Sequence, residues 1–199
     1  MKKYLVIGNP IEHSLSPLIH NYWMKKHHLE DSIYEKRKVE EKDLENIINE
    51  IREDKIVGVN VTVPFKKLII PFLDKLDLVA KETQSVNTLF KINKKIIGYN
   101  TDSAGFWDSI KKLYPQNNGP VAPGFLEGKN VFILGAGGVT PSIISALKFE
   151  RANVILSNRT RKKAEELKKL FPKLEVLDWG KRPSNCDIVI NTTSVGLTK

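Results

Sequence analysis

Apolar and polar positions follow two periods in this chain. Residues 4–8 are a short apolar run closed by Gly8 and Pro10, which predicts a first β-strand. Ser16-Pro17 then opens a helix, with the serine as N-cap and the proline in the first turn, carried on by Leu18, Tyr22 and residues 24–27. Residues 33–39 alternate like an exposed strand. Leu44, Ile47, Ile48 and Ile51 fall at helical spacing and make residues 43–52 an amphipathic helix. A β-branched run over 57–63 ends at Pro64, and residues 66–73 and 77–83 read as helical. Residues 88–92 and 96–99 flank Asn93-Lys94 as a hairpin. Such alternation predicts a mainly parallel sheet covered by helices.

A helix over 101–113, capped by Thr101 or Asp102, leads into a Pro/Gly/Asn-rich loop over 115–124. A second alternation follows: strand 130–134, glycine turn, helix, strand 153–156, a basic stretch, and an apolar strand from Asp187, read as buried. The expected division is a first domain over 1–101 and a second over 102–199, joined by the connecting helix 102–113. The fold class is therefore α/β and two-lobed.

Composition changes little. Hydrophobic residues are 41% of the 199 and charged residues 28%, as in ordinary globular proteins. No apolar run reaches the roughly 20 residues that span a bilayer, so no membrane association is expected. The first residues are too briefly apolar for a signal peptide. The net charge of +9 is scattered among glutamates, as on solvated faces, and argues against nucleic acid while favouring anionic small ligands. The single cysteine, Cys186, excludes an internal disulfide and fits a reducing cytoplasm; it reads as a small buried side chain. No spacing of His, Cys and carboxylates suits a metal. His13 reads as a loop-shaping residue, His20 and Asn21 as packing or hydrogen-bonding within the first helix, and His27 and His28 as surface residues at its end.

The chemistry sits at strand ends. In the second half, Gly135-Ala136-Gly137-Gly138-Val139 joins a strand to a helix. Gly135 would permit a tight turn and Gly137 a close approach of backbone to a pyrophosphate at the helix N-terminus. Thr140 stands where the dinucleotide fingerprint has its third glycine, and a purely structural turn would also use glycine. About 20 residues on, where an NAD enzyme carries an acid, the chain has Asn158, Arg159 and Thr160, with Lys163 nearby. A guanidinium there can pair a ribose 2′-phosphate, so NADP(H) is preferred to NAD; the alternative is a solvated basic turn. Asn191 and Thr192, at the end of the last strand, are candidates for the nicotinamide side, or else local caps of their own loop.

In the first half, hydroxyls, amides and a carboxylate cluster beside Ser14 and Ser16, from Asn60 to Lys66, at Asn87, and at Asp102. Polar groups converging on one rim suit a small polyhydroxylated ligand. These clusters read G-N-P-I-x-H-S-x-S-P-x-x-H-N, N-V-T-V-P-F-K, V-N-T and G-x-N-T-D-x-x-G. Together, followed in order by G-A-G-G and N-R-T, they resemble the shikimate dehydrogenases over essentially the whole chain.

The resemblance implies an N-terminal α/β substrate-binding domain and a Rossmann-like NADP-binding domain. It also implies NADPH-dependent, reversible reduction of 3-dehydroshikimate to shikimate, a step of aromatic amino-acid biosynthesis, by a cytoplasmic monomer or homodimer. Ser14 and Ser16 would bind the substrate carboxylate, and Thr62, Asn87 and Asp102 the ring hydroxyls. Lys66 and Asp102 would stand at the hydroxyl or ketone being interconverted. Without the resemblance, Lys66 could equally be a helix-surface lysine like Lys67, and Asp102 an N-cap. The family's chain continues past this one's last strand, so an incomplete cofactor domain and weak activity are expected of the 199 residues. A quinate/shikimate dehydrogenase and a non-catalytic ligand-binding relative are the competing readings.

Overall fold

The computed structural model describes residues 1–112 and 124–195. The chain divides into two compact units, Met1–Thr101 and Asp102–Lys199.

The first unit begins with β1 (Lys2–Gly8), α1 (Ser16–Lys26), β2 (Ser32–Lys38), a 3-10 turn (Glu41–Asp43) and α2 (Leu44–Arg52). Next come β3 (Gly58–Val61), α3 (Phe65–Leu68), a second 3-10 turn (Ile70–Phe72), β4 (Lys75–Leu76) and α4 (Leu78–Thr83). The hairpin β5 (Thr88–Ile92) and β6 (Lys95–Tyr99) closes it, turning on Asn93 and Lys94, both at positive φ. All six strands form one sheet in the order β2-β1-β3-β5-β6-β4.

The expected mainly parallel sheet is mixed. β1 pairs parallel with β2 and β3, and β4 with β6, but β5 runs antiparallel to β6, as a hairpin must, and also to β3. Three further expectations change in detail. Ser16 is the first helical residue rather than the N-cap, which Leu15 occupies. The helix expected over 66–73 is one short α-turn followed by a 3-10 turn at Pro71, since proline removes a ladder N–H. His20 and Asn21 reach out of their helix: His20 stacks on Tyr34 at 4.2 Å, and Asn21 bonds both backbone groups of Tyr34 in β2.

The amphipathic α2 behaves as its spacing demands. Leu44, Ile47, Ile48 and Ile51 are all at most 2% exposed and pack with Leu5, Ile7, Val59, Val61 and Leu89 from the sheet.

The second unit holds α5 (Asp102–Lys111), β7 (Asn130–Leu134), α6 (Thr140–Phe149), β8 (Asn153–Ser157), α7 (Arg161–Leu170), β9 (Glu175–Leu177) and β10 (Ile188–Asn191). The end of the helix expected to reach 113, and most of the loop over 115–124, lie outside the described residues. The four strands are all parallel, in the order β10-β7-β8-β9. The inner strands β7 and β8 are apolar runs buried on both faces, as parallel sheets require. Glu150, 1% exposed, follows α6 and accepts the indole N–H of Trp107 from α5 together with the backbone N–H groups of Gly124 and Phe125.

The strand from Asp187 is not buried. β10 is an edge strand, and Val189 on it is 62% exposed. Cys186 is likewise exposed, its thiol directed at Ile188 O. Both follow from an apolar run flanking a sheet on one side only. Among the described residues no helix is long and apolar enough to cross a membrane.

Candidate active site

In the first unit, strand direction decides which residues share a rim. β1 and β3 are parallel, so their C-terminal ends coincide; β5 is antiparallel to β3, which brings its start to that edge; β6 reverses again and ends there. Ser14 and Ser16 after β1, Thr62 and Lys66 after β3, Asn87 before β5 and Thr101 after β6 therefore meet on one rim.

Backbone hydrogen bonds fix these positions. Thr62 N–H donates to Ile7 O at 2.9 Å, and Asn9 N–H to Val63 O at 3.0 Å. Gly8 is needed where they meet, because a Cβ there would lie 2.6 Å from the Thr62 methyl and 3.1 Å from Val63 O. Val86 N–H donates to Lys66 O at 2.8 Å, and Val61 N–H to Asn87 O at 2.9 Å, holding the first turn of α3 beside the start of β5. Lys66 is half-buried there, whereas its neighbour Lys67 is exposed.

The amides are wired to each other. Asn87 Oδ1 accepts the Thr101 N–H at 3.0 Å and the Thr88 hydroxyl at 3.1 Å, and its Nδ2 donates to Thr101 Oγ1 at 2.9 Å. Asn60 donates to Asn87 O and Thr88 Oγ1, and accepts the Tyr34 hydroxyl at 2.6 Å. Burial pushes the Tyr34 phenol above the usual tyrosine range, while a hydrogen bond from Ser16 works in the opposite direction. Ser14 Oγ is 3.4 Å from the Ser16 N–H, so the two serines share one tight turn. Tyr34 does not stand out in the sequence, whereas Asn60, Thr88 and Thr101 are visible there as members of the polar motifs without an assigned role.

α1 and the sheet border a half-open hollow of about 550 Å³, lined by Tyr4, His20, Trp23, Tyr34, Asn60 and Phe90 among others. Its apolar lining does not match a polyhydroxylated acid.

In the second unit, β7, β8 and β10 run parallel, so the glycine turn, the Asn158–Thr160 segment and the Asn191–Thr192 end share one edge. Gly135 has φ +108°, and a Cβ there would meet Thr192 Oγ1 at 2.6 Å, so only glycine fits. Thr140, fully buried, replaces the fingerprint's third glycine with a staple. Its hydroxyl accepts the Gly137 N–H at 3.0 Å and lies 3.2 Å from Gly135 O and 2.9 Å from Thr192 Oγ1. Asn158 Oδ1 accepts the Ala136 N–H at 3.0 Å, tying β8 to the same turn. Ala136 and Val139 pack on the unit's core, leaving Gly137 and Gly138 exposed at the start of α6.

Arg159, Thr160 and Lys163 are exposed, and residues 158–163 contain no acid. Among the described residues Arg159 makes no ion pair, while Arg161 is held by Glu165 and Asp178 at 2.6 and 2.7 Å. Asn191 and Thr192 are bonded into their own turn: Asn191 Oδ1 accepts from Thr193, and the Thr192 hydroxyl donates to the carbonyls of Leu134 and Gly135.

Residues 6–89 match the family model of the shikimate dehydrogenase substrate binding domain, and residues 121–197 that of shikimate / quinate 5-dehydrogenase. The chain is 51% identical to the shikimate dehydrogenase (NADP(+)) of Pelagibacter ubique over 98% of its own length and 70% of that protein's. It is 40% identical to the enzyme of the same description from Aquifex aeolicus, over 98% and 68% of the two lengths. The crystal structure of the Aquifex aeolicus shikimate dehydrogenase superposes with a TM-score of 0.86 at 39% identity, covering 99% of this chain and 70% of that one. A shikimate 5-dehydrogenase from Thermus thermophilus, solved in complex with NADP(H) and shikimate, superposes with a TM-score of 0.82 at 30% identity over 99% and 70%. Sequence and architecture agree across both units, and this chain belongs to the shikimate dehydrogenase family.

Proposed function

We propose that the chain acts as an NADP-dependent shikimate dehydrogenase, reducing 3-dehydroshikimate reversibly to shikimate. In this reading Met1–Thr101 binds the substrate and Asp102–Lys199 the dinucleotide. The observation that carries it is the shared rim of the first unit, where two serines, a threonine, a half-buried lysine and a wired asparagine stand together. A carboxylate suits the turn of Ser14 and Ser16, and ring hydroxyls suit Thr62, Asn87 and Asp102. Its single cysteine fits a cytoplasmic enzyme, and it works as a monomer or homodimer.

The cofactor edge fits a phosphorylated dinucleotide. Gly135, Ala136, Gly137, Gly138 and Val139 offer bare backbone at a helix start, where N–H groups and the helix dipole favour phosphate. Arg159, with Asn158, Thr160 and Lys163, gives a cationic, acid-free turn for a 2′-phosphate. Asn191 and Thr192 act through the shape of their turn. When bound, NADPH supplies the hydride.

The protein must handle the proton. Hydride addition to a ketone leaves an alkoxide oxygen, and an ammonium both stabilises that charge and donates the proton it lacks. Lys66 has this role. In the reverse direction its amine takes the proton from the shikimate hydroxyl as hydride departs. Asp102, an acceptor at the start of α5, orients the hydroxyl and the ammonium.

NADP-linked oxidation of shikimate by this chain, followed by NADPH absorbance, tests the reading, with NAD and quinate as the alternative pair. Shikimate with NADP is expected to be the better pair. Lys66→Ala should lower turnover about 1,000-fold while retaining shikimate binding. Equal loss of binding and unchanged turnover of bound substrate would remove Lys66 from the chemistry.

A further inference from the structure

Trp179 has no role above, yet this large aromatic residue is 51% exposed at a telling place in the second sheet. β8 and β9 run parallel, with Ser157 opposite Leu177. Continuing that register brings Asp178 level with Asn158 and Trp179 level with Arg159. Trp179 therefore stands at the carboxyl edge that carries the glycine turn, one strand outward from the residue assigned to the 2′-phosphate.

The turn that presents it is held in three places. The Asp178 carbonyl accepts the Ser157 hydroxyl at 3.2 Å and the Lys181 N–H at 3.0 Å, and the Asp178 carboxylate accepts the Arg161 guanidinium at 2.7 Å. Gly180, at φ +87°, closes the turn. Among the described residues no other ring and no cation stacks on the indole. A held backbone with an open aromatic face suits a flat ligand, because little freedom remains to be lost on stacking.

The neighbouring chemistry says which flat ligand. In a 2′-phosphorylated dinucleotide the phosphate is on C2′ of the adenosine ribose and the adenine on C1′, the adjoining carbon. Neighbouring strands lie about 4.8 Å apart, so a ribose whose 2′-phosphate meets Arg159 carries its base within reach of the next strand's end. Stacking there needs a π face and no hydrogen-bond partner.

We propose that Trp179 is a cofactor-binding residue that stacks on the adenine ring of NADP, beside the Arg159 that pairs its 2′-phosphate. This rests on the reading of Asp102–Lys199 as the dinucleotide unit.

Calorimetric titration of the chain with adenosine 2′,5′-bisphosphate, which carries the base and the 2′-phosphate but no nicotinamide, tests it. Trp179→Ala is expected to bind this probe about 10-fold more weakly, the worth of one stacked base. Trp179→Phe keeps an aromatic face and should stay within about 3-fold of the wild type, whereas Trp179→Leu should fall with the alanine variant. NADP and NAD should weaken by the same factor in Trp179→Ala, because both carry adenine and only one carries the 2′-phosphate. Unchanged binding in Trp179→Ala, leucine as good as phenylalanine, or a loss confined to NADP overturns the inference and leaves the cofactor reading standing. A wild-type chain that binds neither adenosine 2′,5′-bisphosphate nor NADP overturns that reading, and the inference with it.

Discussion

The polar edge of Met1–Thr101 is made of side chains that hold one another: Tyr34, Asn60, Thr88, Asn87 and Thr101 form a continuous set of hydrogen bonds. The polar edge of Asp102–Lys199 is made mostly of backbone, with Thr140, Asn158 and Thr192 turned inward to fix the glycine turn. The contrast follows the ligands proposed for each. A polyhydroxylated ring is distinguished by where its donors and acceptors lie, which takes oriented side chains. A pyrophosphate asks mainly for N–H groups and close approach, which the peptide itself provides.

The largest break in this contrast is expected at Gly135. Gly135→Ala places a methyl at φ +108° against Thr192 and should cost the second unit about 3 kcal/mol in urea unfolding. A side-chain substitution on the first rim, such as Thr88→Val, should cost less. If the two losses are equal, backbone and side-chain construction do not differ as described.

Thr140→Gly restores the third glycine of the fingerprint, so a motif-based view expects improvement. The staple predicts the opposite, a loss of about 2 kcal/mol in stability and weaker NADP binding, because three partners of a buried hydroxyl are left behind. Arg159→Ala sharpens the cofactor side: NADP affinity should fall about 10- to 30-fold, with NAD affinity within about 2-fold. Equal effects on both dinucleotides would place Arg159 away from the 2′-phosphate.

The smallest effect concerns acid stability of the first unit. Asp74 accepts the Ile96 N–H at 2.7 Å and both Arg52 nitrogens at 3.1 Å, and these, the backbone bond first, hold its carboxyl below the usual range. A lowered folded-state pKa gives stability that is present above the unfolded value of about 4 and lost as pH falls through the folded one. Asp74→Asn should therefore be slightly less stable than the wild type at neutrality and converge with it as pH falls below about 4, which flattens the profile, read by thermal melts across pH.

Much of this architecture was legible. Helix α2 could be read from Leu44, Ile47, Ile48 and Ile51, and the hairpin from Asn93-Lys94, because local periodicity and turn chemistry decide both. The antiparallel placement of β5 could not, since pairing partners are a tertiary choice. Cys186 and the strand after it were misread for the same reason: an apolar run does not say whether a neighbour covers its second face. At the site, Lys66, Asn87 and the glycine turn were visible as motif residues. Tyr34 was not, because alternation in a strand does not say which side-chain oxygen finds a buried partner. Thr140 was visible only as a defect in a glycine pattern.

The Glu150 carboxylate that gathers Trp107, Gly124 and Phe125 also makes this protein convenient to observe. Trp107 is set edge-on to Phe149 and beneath the Lys111 ammonium, so its emission depends on the integrity of the second unit. Trp23 lies on α1 of the first unit and Trp179 on the exposed surface of the second. In a Trp179→Phe background, Trp23 and Trp107 become separate fluorophores for the two units. Whether the chain melts in one transition or two can then be read from the native protein's own light.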